Sequence, residues 1–148
     1  MELPKLNFEE HFDFKFKQDK DTFFIYDIIR KSYLLLTPEE WVRQHWVHYF
    51  HDVKNKNISS LITEKKIEIN GTTKRIDLLV TEKAQSKILL ECKAFSIPLN
   101  ESHFEQTARY NSILNAERIV LSNGLQHIMA DYDGEKYTFV PFEFYKLL

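Results

Sequence analysis

The chain has 148 residues, 43% hydrophobic and 28% charged, with a formal net charge of −2. That is the length of one ordinary domain with enough apolar material for a core, and three glycines and four prolines argue against a disordered or collagen-like chain. The single cysteine, Cys92, excludes an internal disulfide framework and a four-cysteine zinc site, and the acidic balance lacks the basic excess that marks most nucleic-acid binders.

Residues 1–22 alternate charges with Phe8, Phe12, Phe14 and Phe16 and read as a peripheral segment beside a single domain at 23–148. TFFIYDIIR, 22–30, is β-branched and aromatic, as a strand requires. LTPEEWVRQHWVHYFHDV then carries a helix start: Thr37 as N-cap, Pro38 at the first helical position, Glu40 closing a T-x-x-E capping box. Three strands are predicted at 61–69, 74–82 and 87–95, the first two joined by an Asn70-Gly71 turn. Pro98 closes the third, and a helix over 100–115 starts from Asn100. Strands at 118–122 and 126–133 flank the turn Asn123-Gly124, and KYTFVPFEFY is placed at a sheet edge because of Pro141. This order, αβββαβ, predicts an α/β domain with a central mixed sheet flanked by helices.

The chemistry concentrates on two strands. In KRIDLLV, Ile76, Leu78 and Val80 are expected on one face and Arg75, Asp77 and Leu79 on the other. In KILLECKAF, Glu91 and Lys93 share a face although the strand around them is apolar. On antiparallel neighbours Asp77 and Glu91 converge, with Lys93 beside them. Two close carboxylates repel unless a cation sits between them. Oxygen ligands suit a hard divalent ion, Mg²⁺ for preference, with Mn²⁺ able to substitute, and the Cys92 backbone carbonyl offers a further oxygen. The bland reading is a surface ion pair worth only ~0.2–1 kcal/mol, which the apolar flanks Ile88–Leu90 and Ala94 disfavour.

The spacing Asp77…Glu91-Cys92-Lys93 resembles the PD-(D/E)XK nuclease superfamily, with Ile76 where that name places proline. Gln106 and Tyr110, four apart in QTARY, are similar to the Q-x-x-x-Y element of its RecB-like branch. Together LTPEEWVRQHW, ILLECKA, FEQTARYN and LSNGLQH resemble the N-terminal nuclease domain of type I restriction enzyme motor subunits and its small stand-alone relatives, over roughly residues 26–133. The resemblance implies a restriction-endonuclease-like core at 23–148 and a Mg²⁺-dependent nuclease acting on DNA. Asp77, Glu91 and Lys93 would be catalytic, with Asp77, Glu91 and the Cys92 carbonyl on the metal. An acidic residue of the first helix, Glu39 or Glu40, would join them, and Glu40 is preferred. Gln106, Arg109 and Tyr110 would contact substrate. Arg43 and Gln44 read as solvated helix residues, while Gln126 and His127 could approach substrate from their turn.

Rival readings remain open at this point. The same fold could serve as a non-catalytic DNA- or protein-binding module within a homodimer or larger motor assembly, as the acidic balance favours. A zinc site from His45, His48 and His51 lacks a fourth partner, and helix packing explains those residues better. Cys92 reads as a small buried apolar residue rather than a nucleophile. With no signal-peptide pattern and no apolar run near 18 residues, the chain is expected to be cytoplasmic and to make no membrane contact.

Overall fold

The structure, a computed structural model describing residues 2–148, contains strands β1 (Phe16–Asp19), β2 (Thr22–Asp27) and β3 (Ser32–Leu35), then helix α1 (Pro38–His48). Strands β4 (Leu61–Thr63), β5 (Lys66–Ile69), β6 (Thr72–Arg75), β7 (Leu78–Glu82) and β8 (Gln85–Cys92) follow. Helix α2 (Glu101–Leu114) leads into β9 (Arg118–Ser122), β10 (His127–Tyr132) and β11 (Tyr137–Val140). A six-stranded sheet in the order β11-β10-β9-β8-β7-β4 forms the centre. Among the described residues its only parallel pair is β8 with β9, the two strands that α2 connects, so the sheet is mixed as expected. β1–β3 form a separate antiparallel sheet, and β5–β6 a separate two-stranded ribbon. Among the described residues, no helix is long and apolar enough to cross a membrane.

Local chemistry explains most of these elements. Thr37 Oγ1 accepts the Glu40 amide at 3.0 Å, and Pro38 opens α1 as predicted. The expected box is only half made, because the Glu40 carboxylate turns to Arg43 and Gln44 instead. A complete reciprocal cap occurs on α2. There Asn100 Oδ1 accepts the His103 amide, and His103 Nδ1 accepts the Asn100 amide. After His48 the backbone widens into a π-helical turn, Tyr49–Val53. Asn70 and Gly71 both take positive φ, 51° and 74°, as a two-residue hairpin turn demands. β3 is an addition: SYLL carries no turn signal before it that the sequence reading could use.

The core lies on both faces of the sheet. One cluster packs Val42, Trp46 and Phe50 against Leu78, Val80, Ile88, Leu90 and Cys92. The other packs Tyr110 against Ile67, Ile76, Leu79, Leu89 and Ile119. Ile76 therefore lies opposite to Leu78 and Val80, which corrects the predicted alternation. The predicted strand 74–82 is cut at Ile76–Asp77, where the bend resets the two-residue period. The predicted strand 61–69 is cut likewise, around Glu64 with φ 53°. The outer halves of both strands pair with each other as β5–β6 and leave the main sheet.

The N-terminal segment is woven into this frame. Leu6, Phe8 and Phe12 are buried in the first cluster. Trp41 Nε1 donates to the Pro4 carbonyl at 3.0 Å, and the Asn7 amide donates to the Gly124 carbonyl at 2.8 Å. Gly124 combines φ +86° with a position where a Cβ would stand 2.8 Å from Leu6 Cδ1 and 3.1 Å from Val42 Cγ2. Gly124→Ala is thus expected to cost about 1–3 kcal/mol, through backbone strain and displacement of the strap. An unchanged thermal midpoint in that variant would show that the strap is not anchored there.

Candidate active site

Strands β7 and β8 run antiparallel with Leu78 opposite Leu90, so the next pair outward is Asp77 and Glu91. At that pair the ladder gives way to side chains. The Asp77 amide donates to Glu91 Oε1 at 3.2 Å, and the Cys92 amide donates to Asp77 Oδ2 at 2.8 Å. Each carboxylate is thereby aimed by the other strand's backbone. This exchange also explains why β7 stops at Leu78, since the Asp77 carboxylate replaces the partner a continued strand would supply. A strand residue's N–H and C=O point to the same edge, so the Cys92 carbonyl faces the side of Asp77.

The electrostatics are those of two crowded carboxylates whose burial outweighs the nearby cations. Burial, then the Asp77 carboxylate, push Glu91 well above the usual carboxylate range. Burial also raises Asp77, although its bond from the Cys92 amide and the charges of Arg43 and Lys93 oppose the shift. Both groups bind protons more tightly folded than unfolded. Their contribution to stability is therefore present at low pH and is lost as pH rises through the raised folded values. In EDTA, wild type should lose more of its thermal midpoint than Glu91→Gln as pH is raised from about 5 to about 8. Identical pH dependence in the two proteins would show that Glu91 is not penalised by its surroundings.

The neighbouring residues divide into those that reach the pair and those that do not. Lys93 lies just beyond β8, held by its amide's bond to the Ser122 carbonyl at 2.8 Å. Its Nζ donates to Gln106 Oε1 on α2 at 3.4 Å, so the predicted lysine and glutamine come together. Tyr110, one turn on, is buried; burial and then the Glu91 charge raise its hydroxyl. Arg109 is exposed on the same helix. Glu40 is committed elsewhere: it accepts from Arg43 Nε at 3.0 Å, from Arg43 Nη2, and from Gln44 Nε2 at 3.0 Å. It is Glu39, at the rim, whose carboxyl interacts with Asp77; partial burial and then Asp77 raise it. Helical pitch could not separate the two, because the capping pattern pointed to Glu40 and Glu40 adopts another partner.

Other sequence expectations resolve through hydrogen bonds. Gln44 is fully buried and Arg43 is clamped between Glu40 and Glu64, so neither is a solvated helix residue. His127 lies in the core: Nδ1 pairs with Ser122 Oγ at 2.8 Å and Nε2 with the Asn7 carbonyl at 2.9 Å, leaving no ring nitrogen for a substrate. His45, His48 and His51 each engage a partner of their own helix or turn: the Trp41 carbonyl, Asp52 and the Lys56 carbonyl. Phe12 and Phe14 pack on His45 and His48, and burial holds His45 down at about 4. The Cys92 thiol is enclosed, and burial pushes it well up, away from a reactive thiolate.

Among the described residues no group of three or more His, Cys, Asp or Glu side chains forms a ready-made metal cage. Mg²⁺ does not ask for one: it is typically held by one or two carboxylates, water and substrate phosphate. Two carboxylates fixed toward each other, Glu91 buried and Asp77 half-buried, with a carbonyl oxygen facing them, fit that donor chemistry.

A mixed six-stranded sheet between two helices, with a carboxylate pair where one central strand breaks, defines an α/β nuclease-like core. The family model "Type I restriction enzyme R protein N terminus" matches residues 38–144, and the chain belongs to that family. The resemblance to the N-terminal domain of type I restriction enzyme R subunits is thereby shown, and the chain has a restriction-enzyme-related character. Among curated proteins and among solved structures, nothing matches the chain.

Proposed function

We propose that the chain is a divalent-metal-dependent nuclease that hydrolyses DNA phosphodiester bonds, with Asp77, Glu91 and Lys93 as its catalytic residues. The observation that carries this reading is the interlocked pair: the buried Glu91 and the half-buried Asp77, each oriented by a backbone amide of the opposite strand. A buried like-charge pair costs several kcal/mol unless a cation offsets it. Asp77, Glu91 and the Cys92 carbonyl would hold Mg²⁺ or Mn²⁺, with Glu39 rather than Glu40 as the further carboxylate. When bound, such an ion supplies Lewis-acid polarisation of the phosphate and lowers the pKa of water.

The chain's own residues do the rest. Lys93 orients the attacking water and offsets the charge that grows on the phosphate in the transition state. Gln106 accepts from Lys93 Nζ and keeps the ammonium from collapsing onto the carboxylates. Tyr110 closes the apolar side of the site, and Arg109 offers an exposed cation to the nucleic-acid backbone. The family is named for one end of a restriction enzyme subunit, so DNA is the proposed partner, engaged as a homodimer or within a larger restriction assembly.

The net charge of −2 favours a second reading, a non-catalytic DNA- or protein-binding module of the same fold. Calorimetric titration of Mg²⁺ and Mn²⁺ into wild type and Asp77→Ala, with plasmid nicking on the same samples, separates the two. Metal binding and nicking that both vanish in Asp77→Ala support the nuclease. Absence of metal binding to wild type at millimolar concentrations decides for the module.

A further inference from the structure

The ribbon β5–β6 has no place in the chemistry above, yet its composition is unusual. It carries Lys66, Lys74 and Arg75, with Lys65 just before it, against one carboxylate, Glu68. Register sets Lys66 directly opposite Arg75, a like-charge pair that destabilises an isolated hairpin. The nearest other acid, Glu64, is turned away to Arg30 and Arg43. Among the described residues, Lys65, Lys66, Lys74, Arg75 and Arg109 have no salt-bridge partner. What anchors so charged a ribbon is its inner face, where Ile67 is buried in the cluster under α2 and Ile69 packs against it.

That inner face also encloses a space. Between the ribbon and α2 lies a cavity of about 190 Å³, its ribbon wall made by Asn70, Thr72 and Lys74 with Ile69, its helix wall by Gln106, Arg109 and Tyr110. Two cations, three amide or hydroxyl side chains, a phenol and one apolar side chain line it, and no carboxylate does. Gln106 belongs to both places, lining this cavity while it accepts from Lys93. The cavity is therefore one residue removed from the carboxylate pair, and its donors complement an anion rather than a cation.

We infer that the cleft between ribbon β5–β6 and α2 is a subsite for a backbone phosphate of duplex DNA, held by Lys74 and Arg109, with Lys66 and Arg75 extending the contact along the outer face. The proposal deepens the nuclease reading and rests on DNA being the substrate of that site. It explains how an acidic chain meets a polyanion: the excess negative charge lies elsewhere, and the basic residues line one track beside the carboxylates. Contacts of this kind position the duplex and carry no sequence information.

The test measures binding without chemistry. Fluorescence anisotropy of a labelled duplex in EDTA, over about 25 to about 200 mM salt, would compare wild type, Lys74→Gln/Arg109→Gln and the control Lys83→Gln. Lys83 lies in the β7–β8 turn, at the other end of those strands from Asp77 and Glu91. Both positions in the double variant are exposed, so its circular dichroism should match wild type. The expected result is binding weakened about tenfold or more, with the slope of log affinity against log salt reduced by about 1–2, and no change in the control. An unchanged affinity and slope in the double variant overturns the subsite, whatever the nicking assay shows. Failure of wild type to bind duplex at the lowest salt overturns it as well. Weakened binding by the double variant, combined with no nicking by wild type in Mg²⁺, leaves the subsite standing and removes the nuclease reading instead.

Discussion

Asp77→Asn is expected to lower plasmid nicking by ~100-fold or more while leaving the fold at least as stable as wild type. The amide keeps an oxygen that can accept the Cys92 N–H, so the bond that ends β7 survives. It removes one of the two paired negative charges, which relieves the repulsion now raising Glu91. What it loses is the anionic oxygen that a divalent cation needs. Asp77→Ala differs in a way that can be measured. It also leaves the Cys92 N–H without its partner, at a cost of about 1–3 kcal/mol. The pair of variants thus separates catalysis from architecture: both lose nicking, and only the alanine variant loses stability. Nicking by Asp77→Asn within a few-fold of wild type at saturating Mg²⁺ would remove Asp77 from the catalytic set.

The largest stability effect is expected at Trp46, fully buried at the heart of α1. Its ring lies 4.9 Å from that of Phe8 and 5.0 Å from His127, and is stacked with Phe50 at 5.9 Å. It therefore joins the N-terminal strap, α1 and the β9–β10 turn. Trp46→Ala is expected to cost about 3–5 kcal/mol, the usual price of deleting a large core aromatic. Urea unfolding followed by far-ultraviolet circular dichroism reads this directly. Trp46→Phe should cost clearly less than alanine. The indole Nε1 is buried without a hydrogen-bond partner, so phenylalanine removes an orphaned donor along with part of the ring. Equal losses in the two variants would mean that a six-membered ring at this position recovers none of the packing.

Much of the site was legible because it follows from short-range rules. Glu91 stands on β8 with Asp77 just before β7 and Lys93 just after β8, so motif spacing along two adjacent strands brings them together, and Gln106 meets Lys93 from the second turn of the helix that follows. Glu39 was harder: it and Glu40 are adjacent on α1, and nothing in their spacing states which one Arg43 will claim. His127 looked available in its turn, yet the strap brings the Asn7 carbonyl to it across 120 positions of sequence. The cleft beside α2 had no local signature at all, since Lys74 is an ordinary strand residue until the ribbon folds over Gln106 and Arg109.

By itself the sequence determined the capped helices, the Asn70-Gly71 turn, the helix between strands 87–95 and 118–122 and the types of residue that carry chemistry, because propensity, turn geometry and motif spacing act over a few residues. Only the tertiary structure decided where strands 61–69 and 74–82 break, which acid of α1 faces Asp77, and that Leu6, Phe8 and Phe12 belong to the core. Those outcomes depend on competition between partners far apart in the chain. The Cys92 amide prefers the Asp77 carboxylate over a ladder carbonyl, and Phe8 finds Trp46 only once α1 and β9–β10 are assembled.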